Sequence, residues 1–216
     1  MSATQYARDH LEVVMKRTLG TIAAVTIAAA AAAGASACGT DDSGTESMKP
    51  GVSVRSAIPS SAARFDVTSP DIAAGQSIPR PQWANSFGCT EAGKAPQVTW
   101  SGAPAGARSF AITMFDPDAP TGSGFWHWLN WDIPAQASEF GTGAAGVAGT
   151  NDAGGTGYLG PCPPAGDKAH DYVITVVALD TPSLGLPANT PPAVATFTMN
   201  SHIIGYGQLI ATAQRS

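Results

Sequence analysis

Two apolar runs constrain this chain most: 109–115 (SFAITMF) and 126–133 (WHWLNWDI). Each is too short for a packed helix, and a proline follows each, Pro117 after Asp116 and Pro134 after Ile133. A third run, 171–179 (DYVITVVAL), is almost continuously apolar and predicts a central strand. Shorter alternating stretches, 65–68 (FDVT) before Pro70 and 97–100 (QVTW) before Ser101-Gly102, add two more strands. The spacing also predicts a last strand over 194–199. A short helix is expected over 201–213, with Ser201 as its N-cap and Ile203, Ile204, Leu209 and Ile210 as its apolar residues. Between 141 and 160 lies a long Gly-rich loop. Many short strands and scarce helices make the fold mainly β, a sandwich or a barrel.

The composition agrees. Glycine (24) and proline (17) are frequent, and charged residues are only 12% of 216. The formal net charge is -5, with no run of Lys or Arg, so binding nucleic acid by phosphate neutralisation is not expected.

Residues 1–37 read as a signal peptide. Lys16-Arg17 is followed by an uncharged, Ala-rich stretch ending Ala35-Ser36-Ala37-Cys38. Met15 directly precedes Lys16, which makes it the expected true start. Two cleavages fit: an ordinary signal peptidase after Ala-x-Ala, or a lipobox that leaves Cys38 as the lipid-bearing first residue. Ala35 stands where a lipobox usually has Leu, and an uncleaved membrane span is a third reading. Residues 38–61 are small and polar, a linker, and the domain is expected over 62–216. With Cys38 used for lipid, Cys89 and Cys162 remain as a pair in an oxidising compartment. They are expected to form a disulfide, the alternative being two buried thiols.

The chemistry gathers at 116–132. Asp116-Pro117-Asp118 sets two carboxylates in a stiff bend. Strict alternation puts His127, Leu129, Trp131 and Ile133 on one face of the following strand, and Trp126, Trp128, Asn130 and Asp132 on the other. His170 and Tyr172 share a face with Ile174 and Val176. The rigid segment Gly157 to Pro164, with Gly160 and Pro161 inside it, lies between the two histidines. Taken singly, the Asp pair reads as a turn and each His as a core residue. Together they build a pocket of Asp, His, His, Tyr and backbone amides. Such a pocket can hold an anion. Two His and a carboxylate can also hold a metal, but no tight His spacing supports it. Hydrolysis by the Asp pair is the third chemistry; no GxSxG elbow is present.

DPDAPTGSGFWHW, GYLGPCPPAG and His170-Asp171-Tyr172, in this order, resemble the phosphatidylethanolamine-binding protein family, most closely its bacterial, Raf kinase inhibitor protein-like branch. The resemblance runs from about Ala62 to Arg215. It implies a β-sandwich with a few short helices and a preformed pocket for phosphate-like groups, including phospholipid headgroups. Ligand-binding residues carry over onto Asp116, Asp118, His127, Gly160, Pro161, His170 and Tyr172. The Ser-Pro-Pro-type segment common in the family is replaced by Lys94-Ala95-Pro96-Gln97.

The sequence-based expectation is therefore an exported, lipid-anchored or secreted protein that binds a small anion such as phosphate or a phosphorylated headgroup. No cofactor, metal or turnover is expected, and a homodimer is open. Two alternatives stand beside it: an envelope interaction protein or enzyme inhibitor that uses the pocket as a docking slot, and a weak hydrolase. An exposed patch of Trp126, Trp128 and Trp131 would favour the docking slot.

Overall fold

The computed structural model describes residues 58–141 and 143–216. The leader, Met15, Cys38 and the linker up to residue 57 lie outside the described residues. The strands are β1 (Ala63–Arg64), β2 (Asp66–Thr68), β3 (Val98–Ser101), β4 (Ser109–Asp116), β5 (Phe125–Pro134), β6 (Glu139–Phe140), β7 (Val147–Ala148), β8 (His170–Leu179) and β9 (Ile203–Ala213). Among the described residues, a 3-10 turn spans Arg80–Gln82 and the α-helix α1 spans Pro192–Asn200. Among the described residues, no helix is long and apolar enough to cross a membrane.

The strands form two sheets. The larger runs β1-β9-β8-β4-β5-β7 and the smaller β2-β3-β6. The run 171–179 is the core of β8, which pairs antiparallel with both β4 and β9. Its last six residues, Ile174 to Leu179, are all buried.

The core has two parts, one on each face of the larger sheet. Facing the smaller sheet, Phe110, Ile112, Met114, Trp128, Ile174 and Val176 pack with Val98, Trp100 and Phe140. On the far face, Ala111, Leu129, Trp131, Val177 and Leu179 pack against Ala195 and Met199 of α1. Each fully buried Leu or Ile stabilises the fold by about 1.5–3 kcal/mol relative to exposure. The chain is thus a β-sandwich whose larger sheet carries a helix on its outer face.

Two elements near the C-terminus are the reverse of the expectation. Residues 194–199 belong to α1, not to a strand. Pro192 occupies the first turn, where a missing N–H and a fixed φ are tolerated. The buried residues Pro192, Ala195 and Met199 follow a helical period, while Val194 and Phe197 face solvent. Ser201 closes this helix and caps no new one. Residues 203–213 are β9, with Gly205, Gly207, Leu209, Ala211 and Ala213 alternating inward. The two glycines that weaken a helix are required here by close packing. A Cβ on Gly207 would lie 2.4 Å from the Phe65 carbonyl, and one on Gly205 would lie 2.7 Å from Pro104.

Strict alternation also fails in β5. Met114 pairs with Trp128 but Phe115 pairs with Trp126, so His127 is an extra residue in the strand. A second irregularity falls between the pairs Ile112–Asn130 and Phe110–Ile133, where Asp132 takes a φ of 55°. The Asp132 carboxylate accepts the Leu184 N–H at 2.8 Å and the Ser183 hydroxyl at 2.6 Å, which supports that conformation. Trp128 and Ile133 therefore face the smaller sheet, while Leu129 and Trp131 face α1.

The segment 141–160 is not wholly loop. Its residues Val147 and Ala148 form the edge strand β7 against β5. Cys89 and Cys162 form the expected disulfide, with Cα atoms 6.0 Å apart across a sequence separation of 73.

Candidate functional site

Antiparallel pairing brings the site together at one end of the larger sheet. β4 ends at Asp116, β5 and β8 begin beside it, and β9 ends alongside β8. A cavity of about 270 Å³ opens there. Its polar lining comes from Asp116, Thr121, His127, His170, Tyr172 and Arg215. Its apolar lining includes Phe87, Phe125, Leu159 and prolines 120, 163 and 164.

His170 is 1% exposed and is held at both ring nitrogens. Nδ1 lies 2.8 Å from Asp116 Oδ2 and Nε2 lies 3.2 Å from Asp167 Oδ2. Carboxylates only accept, so making both bonds at once requires both nitrogens to donate, and the two partners favour the imidazolium form. Burial opposes that charge. The bonds to Asp116 and Asp167 and their charges outweigh it, and the His170 pKa is raised. The hydrogen bond from His170 likewise holds the Asp167 carboxyl below its usual range.

His127 has the opposite character. It is 6% exposed, and burial lowers its pKa despite the Leu159 carbonyl and the Asp116 charge. Nδ1 donates to the Leu159 carbonyl at 3.1 Å, which leaves Nε2 of the neutral ring as an acceptor. The ring also stacks edge-on to Tyr172, with centroids 5.2 Å apart.

The Tyr172 hydroxyl is buried beside the Asp116 carboxylate and makes no hydrogen bond of good geometry in the protein. Burial and then the Asp116 charge push its pKa up, so it stays a phenol that donates. A buried hydroxyl without a well-formed hydrogen bond on a cavity wall is uncommon, and a ligand oxygen would satisfy it.

Asp116 and Asp118 do different work. Asp116 is 2% exposed; it accepts from His170 and, at Oδ1, from the Asp118 N–H at 2.9 Å. Asp118 is not part of the cavity lining. Its carboxylate takes the Asp171 N–H at 2.9 Å and pairs with Lys168. The Asp171 hydrogen bond, then Lys168, lower its pKa. Asp118 ties the Asp-Pro-Asp bend to the start of β8.

Gly160 lines the cavity together with Leu159, Cys162, Pro163 and Pro164, whereas the predicted Pro161 lies outside the lining. The Pro161 carbonyl accepts the Ala84 N–H at 3.1 Å. A Cβ on Gly160 would lie 2.2 Å from the Gln82 carbonyl, so only glycine permits this approach. The disulfide fastens the same wall to the segment at 87–89.

Of the predicted residues, Asp116, His127, Gly160, His170 and Tyr172 meet around the cavity, and Asp118 braces it from behind. The sequence reading missed Arg215, Phe87 and Asp167. Arg215 and Phe87 enter from distant segments with no local motif. Asp167 stands three residues before His170, and that spacing was a usable signal. Lys94 and Gln97 lie elsewhere, in a wider cleft of about 480 Å³ with Asp71 and Glu139. There the polar groups satisfy one another, Lys94 with Asp71 and Gln97 with Glu139. Trp128 and Trp131 are buried at 2% and 0%, so the three tryptophans make no exposed patch.

The phosphatidylethanolamine-binding protein profile matches residues 68–214. The UPF0098 protein YbcL of Escherichia coli is 39% identical over 160 residues, which cover 68% of this chain and 86% of the relative. Its crystal structure, described as a new member of the mammalian PEBP family, superposes with a TM-score of 0.67, covering 71% of this chain and 100% of that one. A protein of Mycobacterium tuberculosis named as a lipoprotein, LppC, is 34% identical over 164 residues, 74% of this chain and 78% of the relative. The profile, the relative and the superposed structure agree: the chain belongs to the phosphatidylethanolamine-binding protein family.

Proposed function

We propose that this chain is an exported protein that holds a small oxyanion in the cavity, a phosphate or the phosphorylated headgroup of a lipid, and does not turn it over. The buried Tyr172 hydroxyl carries the proposal, because this donor on the cavity wall makes no hydrogen bond of good geometry even with the Asp116 carboxylate nearby. Around it, the cavity walls are formed before any ligand arrives. The disulfide and the prolines fix the loops, which reduces the ordering cost of binding.

The reading as a binder, not a catalyst, is supported by how the groups are used. Asp116 is committed at both oxygens, so it is a poor general base. Cys162 is in the disulfide and is no nucleophile. Export is supported by the leader pattern and the disulfide. Anchoring through Cys38 is favoured by the small-residue stretch before it and by the similarity to a protein named as a lipoprotein. A single acyl chain would give weak retention, so a stable anchor needs more than one.

Calorimetric titration of the full chain with inorganic phosphate and with phosphoethanolamine tests the proposal. Saturable one-to-one binding is expected. No heat with either compound would overturn it. Release of product from a phosphomonoester, lost in Asp116→Asn, would replace it with the hydrolase reading.

A further inference from the structure

Arg215 lies just beyond β9 and lines the cavity, yet the protein leaves its guanidinium under-used. Nη1 donates to the Phe87 carbonyl at 3.2 Å and sits against the disulfide, 3.2 Å from Cys162 Sγ and 3.6 Å from Cys89 Sγ. Disulfide sulfurs are weak acceptors. Nε is buried and has no partner. Among the described residues, no carboxylate pairs with Arg215. One carbonyl and two sulfurs do not satisfy five N–H donors, and a partly buried cation without a counterion is unfavourable.

The other charges of the site are already matched. The His170 cation lies between Asp116 and Asp167, and Lys168 is paired with Asp118. His127 is neutral and offers an acceptor. Of the residues lining the cavity, Arg215 is the one Arg or Lys. An anion entering here therefore meets one uncommitted positive charge.

We infer that Arg215 is a ligand-binding residue, the ion-pair partner of the oxyanion that also accepts from the Tyr172 hydroxyl, and that the Cys89–Cys162 disulfide is the seat that holds it in place. The inference rests on the anion-binding reading above. It narrows the ligand to a phosphate or carboxylate group that also carries one hydroxyl or N–H donor for His127 Nε2. An apolar substituent would lie along Phe87 and Phe125. Phe87 is suited to that contact, because it is 63% exposed at the rim and held there at a φ of 55° by a disulfide neighbour and by Arg215.

The test is calorimetry on the full chain, wild type against Arg215→Gln and Arg215→Lys, at low and at physiological salt. Inorganic phosphate and glycerophosphoethanolamine are titrated separately, so that free phosphate and a lipid headgroup are distinguished by which one binds more tightly. Arg215→Gln is expected to weaken binding roughly ten- to a hundredfold, the range for hydrogen bonds to charged groups. It is also expected to flatten the salt dependence, while Arg215→Lys keeps the salt dependence and loses part of the affinity. Lost packing alone would lower affinity without changing the salt slope, so an unchanged slope in Arg215→Gln overturns the inference. Unchanged affinity in that variant overturns it as well and leaves the anion-binding reading standing. Failure of the wild type to bind either compound overturns both.

Discussion

His170 Nδ1 and Asp116 Oδ2 meet at 2.8 Å with side chains 1% and 3% exposed, a charge pair almost sealed from water. Asp167 holds the other side of the same ring, and its side chain is 40% exposed. The site thus has a buried half that is fixed and an outer half that a ligand can reach.

Breaking the buried half should damage the fold. Asp116→Asn leaves the His170 cation without its inner partner. The expected loss is about 3–5 kcal/mol, as for removing one member of a buried pair. Urea denaturation of wild type and variant measures it. A loss near zero would mean that His170 is neutral in the native state.

The same pair gives stability a pH dependence of known sign. The His170 pKa lies above its ordinary 6.5 in the folded chain. Its contribution is therefore full below that value and declines as pH rises through the folded pKa. Urea denaturation over a pH series should show this decline in the wild type and not in His170→Gln. His127 acts in the other direction, because its pKa is lowered: stability falls as pH drops below 6.5 and the ring is forced to protonate.

Tyr172→Phe should separate binding from folding. The hydroxyl makes no well-formed hydrogen bond in the protein, only a poor one toward Asp116, so stability should stay within about 1 kcal/mol of wild type or rise. Phosphate binding should weaken by about tenfold, one hydrogen bond to a charged group. A large loss of stability on thermal denaturation would show that the hydroxyl is engaged within the protein.

Asp167→Ala should strengthen binding. It removes a carboxylate that competes with the ligand for His170 Nε2 and repels an anion. A gain of about fivefold in phosphate affinity is expected. Weaker binding by calorimetry would assign Asp167 to positioning the ring.

The disulfide should matter to stability and to the cavity wall. Replacing Cys89 and Cys162 together by Ser is expected to cost about 4 kcal/mol on the chain-entropy account of a loop this long. Thermal denaturation of the double variant measures it, with reduced wild type as the comparison.

How legible this was in the sequence depended on whether the signal was local. The apolar run of β8 and the Pro-bounded runs of β4 and β5 declared strands, because burial on both faces leaves no other use for such residues. The Asp-Pro-Asp bend, His127 and the His170-x-Tyr172 pair were legible only as a set, because each alone reads as a turn or a core residue. Local signal misled at 194–213, where apparent alternation hid a proline-started helix, and where Gly205 and Gly207 answered to packing against Phe65 and Pro104. The bulge at His127 depends on pairing with β4 and leaves no mark in β5 alone. Arg215 reaches the site only because β9 folds back beside β8, and no motif records that.

The central claim is that the cavity holds an oxyanion between His127, His170, Tyr172 and Arg215. NMR observation of the two histidine rings during a phosphate titration of the full chain tests it most directly. The account predicts saturable shifts of both rings in the wild type, with a midpoint about tenfold higher in phosphate for Tyr172→Phe. Rings that do not move at any phosphate concentration, in a protein whose fold is intact, would contradict it.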